Sequence, residues 1–314
     1  VSEKLKREQG IDVDAESEVL ITAGAQPAFF ASCQTIINPG DEVIVHDPFY
    51  SSYEVTLRVV GAKIIRVPMK KQEGFTLDPD EIEERVSDKT KAIVIISPNN
   101  PTGTTLDKDT LKAISEISED HNLMVISDEI YEKIVYDGEK HVSIASFDNM
   151  KERTIIINSF SKTYAMTGWR IGYLHADEEL IPQITKAHIP FAICTPVVSQ
   201  YAALGALQGS QDCVVKFREH YLATRNLMCE RLDNLSSVFD YQKPGGSYLM
   251  FPRILLDEGK DSTSFCIKLL REGKVSTTPG IAFGPTGQSH LRLSFCVSEE
   301  EINKAFDRME VYFK

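Results

Sequence analysis

Residues 158–173 read NSFSKTYAMTGWRIGY, with Lys162 between the hydroxyls of Ser159 and Ser161 and its neighbour Thr163, and Arg170 eight positions on. An amine that can condense with a carbonyl, beside hydroxyl and guanidinium groups that can hold an anion, is a chemically purposeful set. A surface lysine needs no such company, and most lysines are surface lysines. The run before it sharpens the point. Arg153-Thr154-Ile155-Ile156-Ile157-Asn158 has the β-branched pattern of a buried parallel strand. Lys162 therefore falls just past the carboxyl end of a strand, where open α/β sheets bind their ligands.

Four other apolar runs end on groups of similar promise. Glu18–Thr22 leads into Gly24, Ala25 and Gln26, then into a helix predicted from Pro27 to about Ile37. A glycine turn opening a helix offers free backbone N–H groups and a positive dipole end to an anion, although most such turns only reverse the chain. Glu42–Val45 leads into HDPFYSSY, where Phe49 or Tyr50 offers either loop packing or a platform for a planar ligand. Lys91–Ile96 leads into SPNNPTG, whose Asn99 and Asn100 suit a turn or an amide hydrogen bond to a ligand oxygen. Leu123–Ile126 leads into SDEIYE, with Asp128 and Tyr131 spaced to lie on one side of a turn. An acidic strand end would suit a P-loop ATPase, but the chain contains no G-x-x-x-x-G-K-[ST] motif, and no G-x-G-x-x-G follows a strand. Each feature alone has a plain structural reading. Five parallel-type strands delivering such groups to one sheet edge do not share one.

The combined inventory is that of a pyridoxal 5′-phosphate site. A helix start, Ser159, Ser161 and Arg170 suit a phosphate. An aromatic suits the ring face, and Asn100 with Tyr131 suits the ring oxygen. Asp128, held ionised, would keep the ring nitrogen protonated and make the ring an electron sink. Lys162 would form the Schiff base and, once displaced, shuttle protons at the substrate Cα.

The motifs SFSKTYAMTGWRIGY, SPNNPTG, SDEIYE and TAGAQPAFF resemble those of the fold-type I, class I/II aminotransferases, and the likeness continues through PGGSYLMFP, PGIAFG and HLRLSFC over essentially the whole chain. The resemblance implies Lys162 as the Schiff-base lysine, Asp128 as partner of the pyridine nitrogen and Tyr131 and Asn100 as ligands of the ring oxygen. It implies Tyr50 as the stacking aromatic, and Ser159, Arg170 and the Ala25–Gln26 backbone as the phosphate cup, with Gly24 and Ser161 beside them. It makes Arg292 the clamp for a substrate carboxylate. Unaided, Leu291-Arg292-Leu293-Ser294-Phe295 reads as an alternating strand with an ordinary exposed arginine. It further implies a homodimer with the site partly at the interface.

The elements that must position these groups follow from the alternation of apolar β-rich runs with helical stretches, the signature of a mostly parallel α/β sheet flanked by helices. We expect a large cofactor domain over 15–224, a long helix near 210–235 crossing out of it, and a smaller C-terminal α/β domain over 225–314. Residues 1–14 read as the remnant of an N-terminal helix ended by Gly10, with Ser2 its only candidate cap, and further sequence is expected upstream. Members of the resembled family carry there an arm, residues that close over substrate and a tyrosine lent to the neighbouring subunit.

The formal net charge of −12 argues against nucleic-acid and anionic-membrane partners, and no apolar run approaches a membrane span. Six scattered cysteines without a CxxC pair suit a reducing, cytoplasmic setting, and seven dispersed histidines give little support to a metal site. The leading expectation is transfer of an amino group from an L-amino acid, aspartate or aromatic, to a 2-oxo acid such as 2-oxoglutarate. A C–S lyase of the same fold, and a cofactor-binding protein with little activity, remain as alternatives. A dicarboxylate would need a second cation near its side chain, with Lys186 and Arg253 as candidates. An aromatic substrate would want an apolar lining, for which Phe191, Ile193 and Phe283 are available.

Overall fold

Strand-forming runs alternate with helices through the first half of the chain, and the computed structural model describes residues 1–71 and 74–314. In chain order the elements are α1 (Ser2–Gln9), β1 (Val19–Thr22), α2 (Ala25–Ile36), β2 (Glu42–Asp47), α3 (Ser51–Val59), β3 (Lys63–Pro68), α4 (Pro79–Glu83), β4 (Thr90–Ile96), α5 (Lys108–Asp120) and β5 (Met124–Asp128). They continue with β6 (Thr154–Ser159), α6 (Phe160–Thr163), β7 (Gly172–His175), α7 (Ile181–His188), α8 (Val197–Gln208) and α9 (Asp212–Asp233). The C-terminal part comprises β8 (Phe239–Asp240), β9 (Leu249–Met250), β10 (Arg253–Ile254), α10 (Ser262–Arg271), β11 (Thr278–Pro279), β12 (Leu291–Ser294) and α11 (Glu299–Tyr312).

Seven strands form one sheet in the order β1-β7-β6-β5-β4-β2-β3. From β3 through β6 every neighbour is parallel, whereas β7 runs antiparallel to both β6 and β1. The expectation of five parallel strands is therefore corrected at β1, which has no parallel partner. Two successive reversals restore its direction, so its carboxyl end still meets those of β2, β4, β5 and β6 at one edge.

The sheet is covered on both faces, and its side-chain alternation serves two cores at once. Val43, Val45, Ala92, Val94 and Ile96 pack with Phe29, Tyr53 and Ile184 from α2, α3 and α7. Ile44, Ile93, Ile95 and Val125 pack on the other face with Leu111, Ile114 and Ile117 from α5. Such a sheet has no solvated face, which is why its strands read as unbroken apolar runs.

Residues from β8 onward build a second unit, with β12 central and antiparallel to both neighbours in a three-stranded sheet ordered β11-β12-β9. Its core takes Met228 and Leu232 from α9, Phe265 and Leu269 from α10, and Phe306 and Met309 from α11. Tyr131, Ile134 and Tyr136, from the segment after β5, belong to the same core. Arg225 on α9 is fully buried, donates to both Asp137 carboxylate oxygens at 2.8 and 2.9 Å and lies 4.6 Å from the Tyr136 ring centroid. The segment that carries Tyr131 is thus held by the C-terminal unit as well as by the sheet.

Local details depart from the sequence reading. α2 begins at Ala25, two residues before Pro27, because Gly24 turns the chain at φ 106°. Proline is still harmless in the first turn, where no N–H has an intrahelical acceptor. β5 and β6 run on to Asp128 and Ser159, which are final strand residues and not loop residues. α1 does end at Gly10 in the left-handed conformation, but Ser2 lies inside the helix and caps nothing. Lys4 of α1 is buried and reaches Glu132 at 2.5 Å. Among the described residues no helix is long and apolar enough to cross a membrane.

Candidate active site

The converging strand ends enclose a hollow of about 280 Å³. Ala25 and Gln26 enter it from the turn after β1, Tyr50 and Tyr53 from after β2, and Asn100 from after β4. Ile130 and Tyr131 enter after β5, and Ser159, Ser161, Lys162, Thr167 and Arg170 after β6. Larger hollows exist: one of about 440 Å³ along α8 is lined mainly by apolar groups, and one of about 560 Å³ has Lys71, Arg253 and His290 on its wall. Neither brings an amine, a buried carboxyl and an anion seat together, so chemistry and not size selects the smaller one.

Lys162 is positioned by a one-turn helix. Ser159 Oγ accepts from the Ser161 N–H at 3.1 Å and caps α6, which turns the chain sharply at the strand end. Lys162 Nζ donates to Tyr248 Oη at 2.6 Å. Tyr248 comes from the C-terminal unit, and its ring meets the Tyr131 ring edge-on at a 5.2 Å centroid separation.

Asp128 and Glu129 are adjacent, equally buried carboxyls with opposite behaviour. Burial pushes Asp128 up to about 6 against hydrogen bonds from Tyr53 and the Ile130 N–H, with Glu129 adding to the rise. For Glu129 burial acts in the same direction, but His141 at 3.0 Å, Ser143 at 2.6 Å and Ser127 at 3.0 Å outweigh it and hold the group below its ordinary value. Glu129 is thus a satisfied structural carboxylate, whereas Asp128 has no cation in contact with it among the described residues. Tyr53, which donates to Asp128, is itself fixed by stacking on Phe29 at 3.7 Å.

At the other end of the hollow, Arg170 takes a left-handed conformation and donates to the carbonyls of Thr167 at 2.8 Å and Ala23 at 3.3 Å. Gly24 makes room for it: a Cβ there would lie 2.6 Å from Arg170 Nη2. No side chain caps α2, so its first N–H groups stay open to a ligand. Guanidinium, serine hydroxyls and helix start together form a seat for a multiply charged oxyanion.

Arg292 on β12 reaches the rim from the second unit, donates to Asn100 Oδ1 at 3.0 Å and stacks 4.9 Å over the Phe283 ring. No carboxylate among the described residues pairs with it. Its alternation with buried Leu291, Leu293 and Phe295 follows the strand reading.

The two open choices resolve by position. Asn99 is bound inside its own loop by Thr102 and faces His46, leaving Asn100 to the hollow. Phe49 is fully buried, and Tyr50 lines the hollow. Lys186 bonds to Gln183 on the surface and Arg253 lines the separate 560 Å³ hollow, so neither supplies a second cation here. Phe191 and Ile193 are exposed away from the site, and of the three apolar candidates Phe283 alone lies beside it, under Arg292. Tyr53 and Tyr248 were not singled out by sequence reasoning. Both stand inside motifs quoted there, FYSSY and PGGSYLMFP. An unassigned tyrosine beside an assigned one was the available signal.

The family described as aminotransferase class I and II matches residues 1–309. The chain is 40% identical over 316 aligned positions to an aromatic-amino-acid aminotransferase 2 of Thermococcus litoralis, covering 100% of this chain and 80% of the relative. It is 39% identical to an aspartate aminotransferase of Pyrococcus abyssi, covering 99% of this chain and 79% of that one. The solved structure of an aromatic aminotransferase from Pyrococcus horikoshii OT3 superposes with a TM-score of 0.95 at 38% identity, over 99% of this chain and 83% of that one.

Proposed function

We propose, for a chain that belongs to the class I and II aminotransferases and is a transaminase, that it moves the amino group of an L-amino acid of the aspartate or aromatic type to a 2-oxo acid such as 2-oxoglutarate, with pyridoxal 5′-phosphate held at Lys162. The observation that carries this reading is the convergence of Lys162 and an open anion seat on one small hollow, with the buried Asp128 carboxyl held behind its wall by Tyr53. The donor set fits that cofactor. Asp128 lacks a cationic partner that a protonated ring nitrogen would supply, and Gly24 keeps a Cβ out of the seat beside Arg170.

In this reading the α2 start, Ser159, Ser161 and Arg170 would hold the phosphate. Asn100 and Tyr131 would hold the ring oxygen, Tyr50 the ring face, Asp128 the ring nitrogen and Lys162 the aldehyde carbon. When bound, the cofactor supplies an exchangeable carbonyl and a ring that draws electron density from the substrate Cα. The chain's own residues do the rest. Lys162 Nζ, once free, carries a proton to and from that carbon. Burial first, then the neighbouring Tyr248, holds the Tyr131 phenol well above its ordinary pKa, so it stays a hydrogen-bond donor at neutral pH. Arg292 offers a forked pair of donors to the substrate carboxylate, and Asn100 holds the guanidinium in orientation. Arg292 and Tyr248 both come from the second unit, so that unit supplies the carboxylate clamp and an acceptor for the lysine amine.

We divide the chain at 224/225, partway along α9, into the cofactor domain and the smaller C-terminal domain, with 1–14 as a separate N-terminal piece. We also propose a homodimer. Ile193 is 87% and Tyr201 71% exposed, in a band with Phe191, Val197 and Val198, and apolar patches of this kind mark interfaces. All six cysteines are unpaired, which suits the cytoplasm.

The test is the visible absorption spectrum of the protein with pyridoxal phosphate, alongside Lys162→Ala. The wild type should show a pH-sensitive band that the variant lacks. An amino acid should bleach it and 2-oxoglutarate restore it. No band in the wild type overturns the cofactor reading. Pyruvate and ammonia from cysteine conjugates, without need of an amine acceptor, would overturn transamination in favour of lysis.

A further inference from the structure

Tyr248 stands in an unusual backbone setting. The residue before it, Ser247, is fully buried and adopts φ 57°, a left-handed conformation in a residue other than glycine. Its neighbours over-determine that conformation. The Ser247 N–H donates to the Ile134 carbonyl at 2.8 Å, its carbonyl accepts from Tyr136 Oη at 2.5 Å, and its Oγ accepts from the Leu249 N–H at 3.2 Å. Directly after Ser247, the Tyr248 carbonyl accepts from the Phe295 N–H at 3.0 Å, which ties it to the end of the strand that carries Arg292. Strain held in place by so many bonds is a sign of a side chain that must point one way.

The direction is towards Lys162. Tyr248 Oη accepts from Nζ at 2.6 Å, and Nζ also sits 5.2 Å from the Tyr248 ring centroid and 5.8 Å from that of Tyr131. Tyr131 hydrogen-bonds the same Tyr248 hydroxyl. The ring is wedged between Tyr131 at 5.2 Å and Tyr221 at 5.6 Å, so it has little freedom to swing away. The Tyr248 hydroxyl therefore stands between the lysine amine, whose bond it accepts, and the Tyr131 hydroxyl.

We propose that Tyr248 is a positioning residue for the Lys162 amine: its hydroxyl holds Nζ at the wall of the hollow whenever that amine is not covalently engaged, facing the carbon with which it must exchange protons. This rests on the reading of Lys162 as the reactive amine. It also gives the C-terminal unit a direct hold on that amine. Tyr248 and Arg292 sit on hydrogen-bonded neighbouring strand ends, so a shift of this unit on binding a carboxylate moves the lysine's acceptor with it.

The test begins with the cofactor-free protein, so that its failure and that of the cofactor reading stay separate. The rate at which acetic anhydride acylates Lys162, located by peptide mass, is measured against pH in wild type, Tyr248→Phe and Tyr221→Phe. A hydrogen bond accepted from an ammonium favours the charged amine. Its loss in Tyr248→Phe should raise the acylation rate in the neutral range about fivefold, while Tyr221→Phe, which touches only the ring, should match wild type. In the loaded enzyme, single-turnover amine transfer in Tyr248→Phe should fall at least tenfold with KM changed less than threefold. An acylation profile for Tyr248→Phe that superposes on wild type refutes the proposal, whatever the cofactor does. So does an equal shift in Tyr221→Phe, which would make the effect one of packing. A shifted profile in a protein that never binds pyridoxal phosphate keeps the contact and removes the cofactor reading instead.

Discussion

The buried Asp128 carboxyl makes a prediction in which electrostatics can be separated from packing. Its folded-state pKa of about 6 lies about two units above the ordinary 3.8. An acid whose pKa is raised by folding leaves stability intact below the lower value, and removes it as pH climbs through the upper one. With those two values, burying Asp128 costs roughly 1–2 kcal/mol at pH 5, where the folded group keeps its proton and the unfolded one does not, and about 3 kcal/mol at pH 8, where it is buried ionised. Asp128→Asn keeps a side-chain oxygen for the bonds from Tyr53 and the Ile130 N–H but cannot ionise. Its new amide N–H introduces an offset of its own, and that offset does not vary with pH. The quantity to measure is therefore the slope of the difference. In urea titrations of the cofactor-free proteins, the variant should gain roughly 1–2 kcal/mol on wild type between pH 5 and pH 8. Saturating pyridoxal phosphate should then shrink that gain, because a cationic ring nitrogen facing Asp128 compensates the buried charge only in the wild type. A stability difference that stays flat across this range would show that Asp128 is not held protonated by its burial. A gain that ignores the cofactor would show that the ring nitrogen does not face it.

Two further outcomes follow from geometry. Gly24→Ala forces a side chain into φ 106° and brings a Cβ to 2.6 Å from Arg170 Nη2, so pyridoxal phosphate affinity in fluorescence titration should fall at least tenfold, with a stability loss of about 1–2 kcal/mol. Arg292→Lys retains the charge but loses the fork and the stacked plane over Phe283. Steady-state kinetics should show kcat/KM for amino acids down about a hundredfold with the visible spectrum of the resting enzyme unchanged.

Much of the site was legible along the chain because its parts are local. Ser159, Ser161, Lys162 and Arg170 stand within one short stretch after a strand, and the apolar runs that precede each ligand-bearing turn announce the strands themselves. Periodicity reports burial, and a strand covered on both faces, such as β2 or β6, has a pattern that needs no knowledge of its neighbours. That the runs of β2, β4, β5 and β6 end at one edge could also be anticipated, since crossover connections make parallel neighbours.

What the chain could not reveal by itself was pairing and proximity. The sequence of β1 does not state that its partner is β7, or that two reversals bring Gly24 beside Arg170, because strand order is decided by how helices pack on the finished sheet. Asp128 and Glu129 are indistinguishable as neighbours in SDEIYE. Burial pushes both upward; His141 and Ser143 outweigh it at Glu129, whereas Tyr53 and the Ile130 N–H do not at Asp128, and all of these groups are brought together only by folding. The same holds for Tyr248, which is 86 residues from Lys162 and yet 2.6 Å from its amine. Hydrogen bonds and desolvation act over a few ångströms of space, not of sequence. The local inventory of reactive groups therefore belongs to the sequence, while the protonation, orientation and partners of those groups are decided by the tertiary structure.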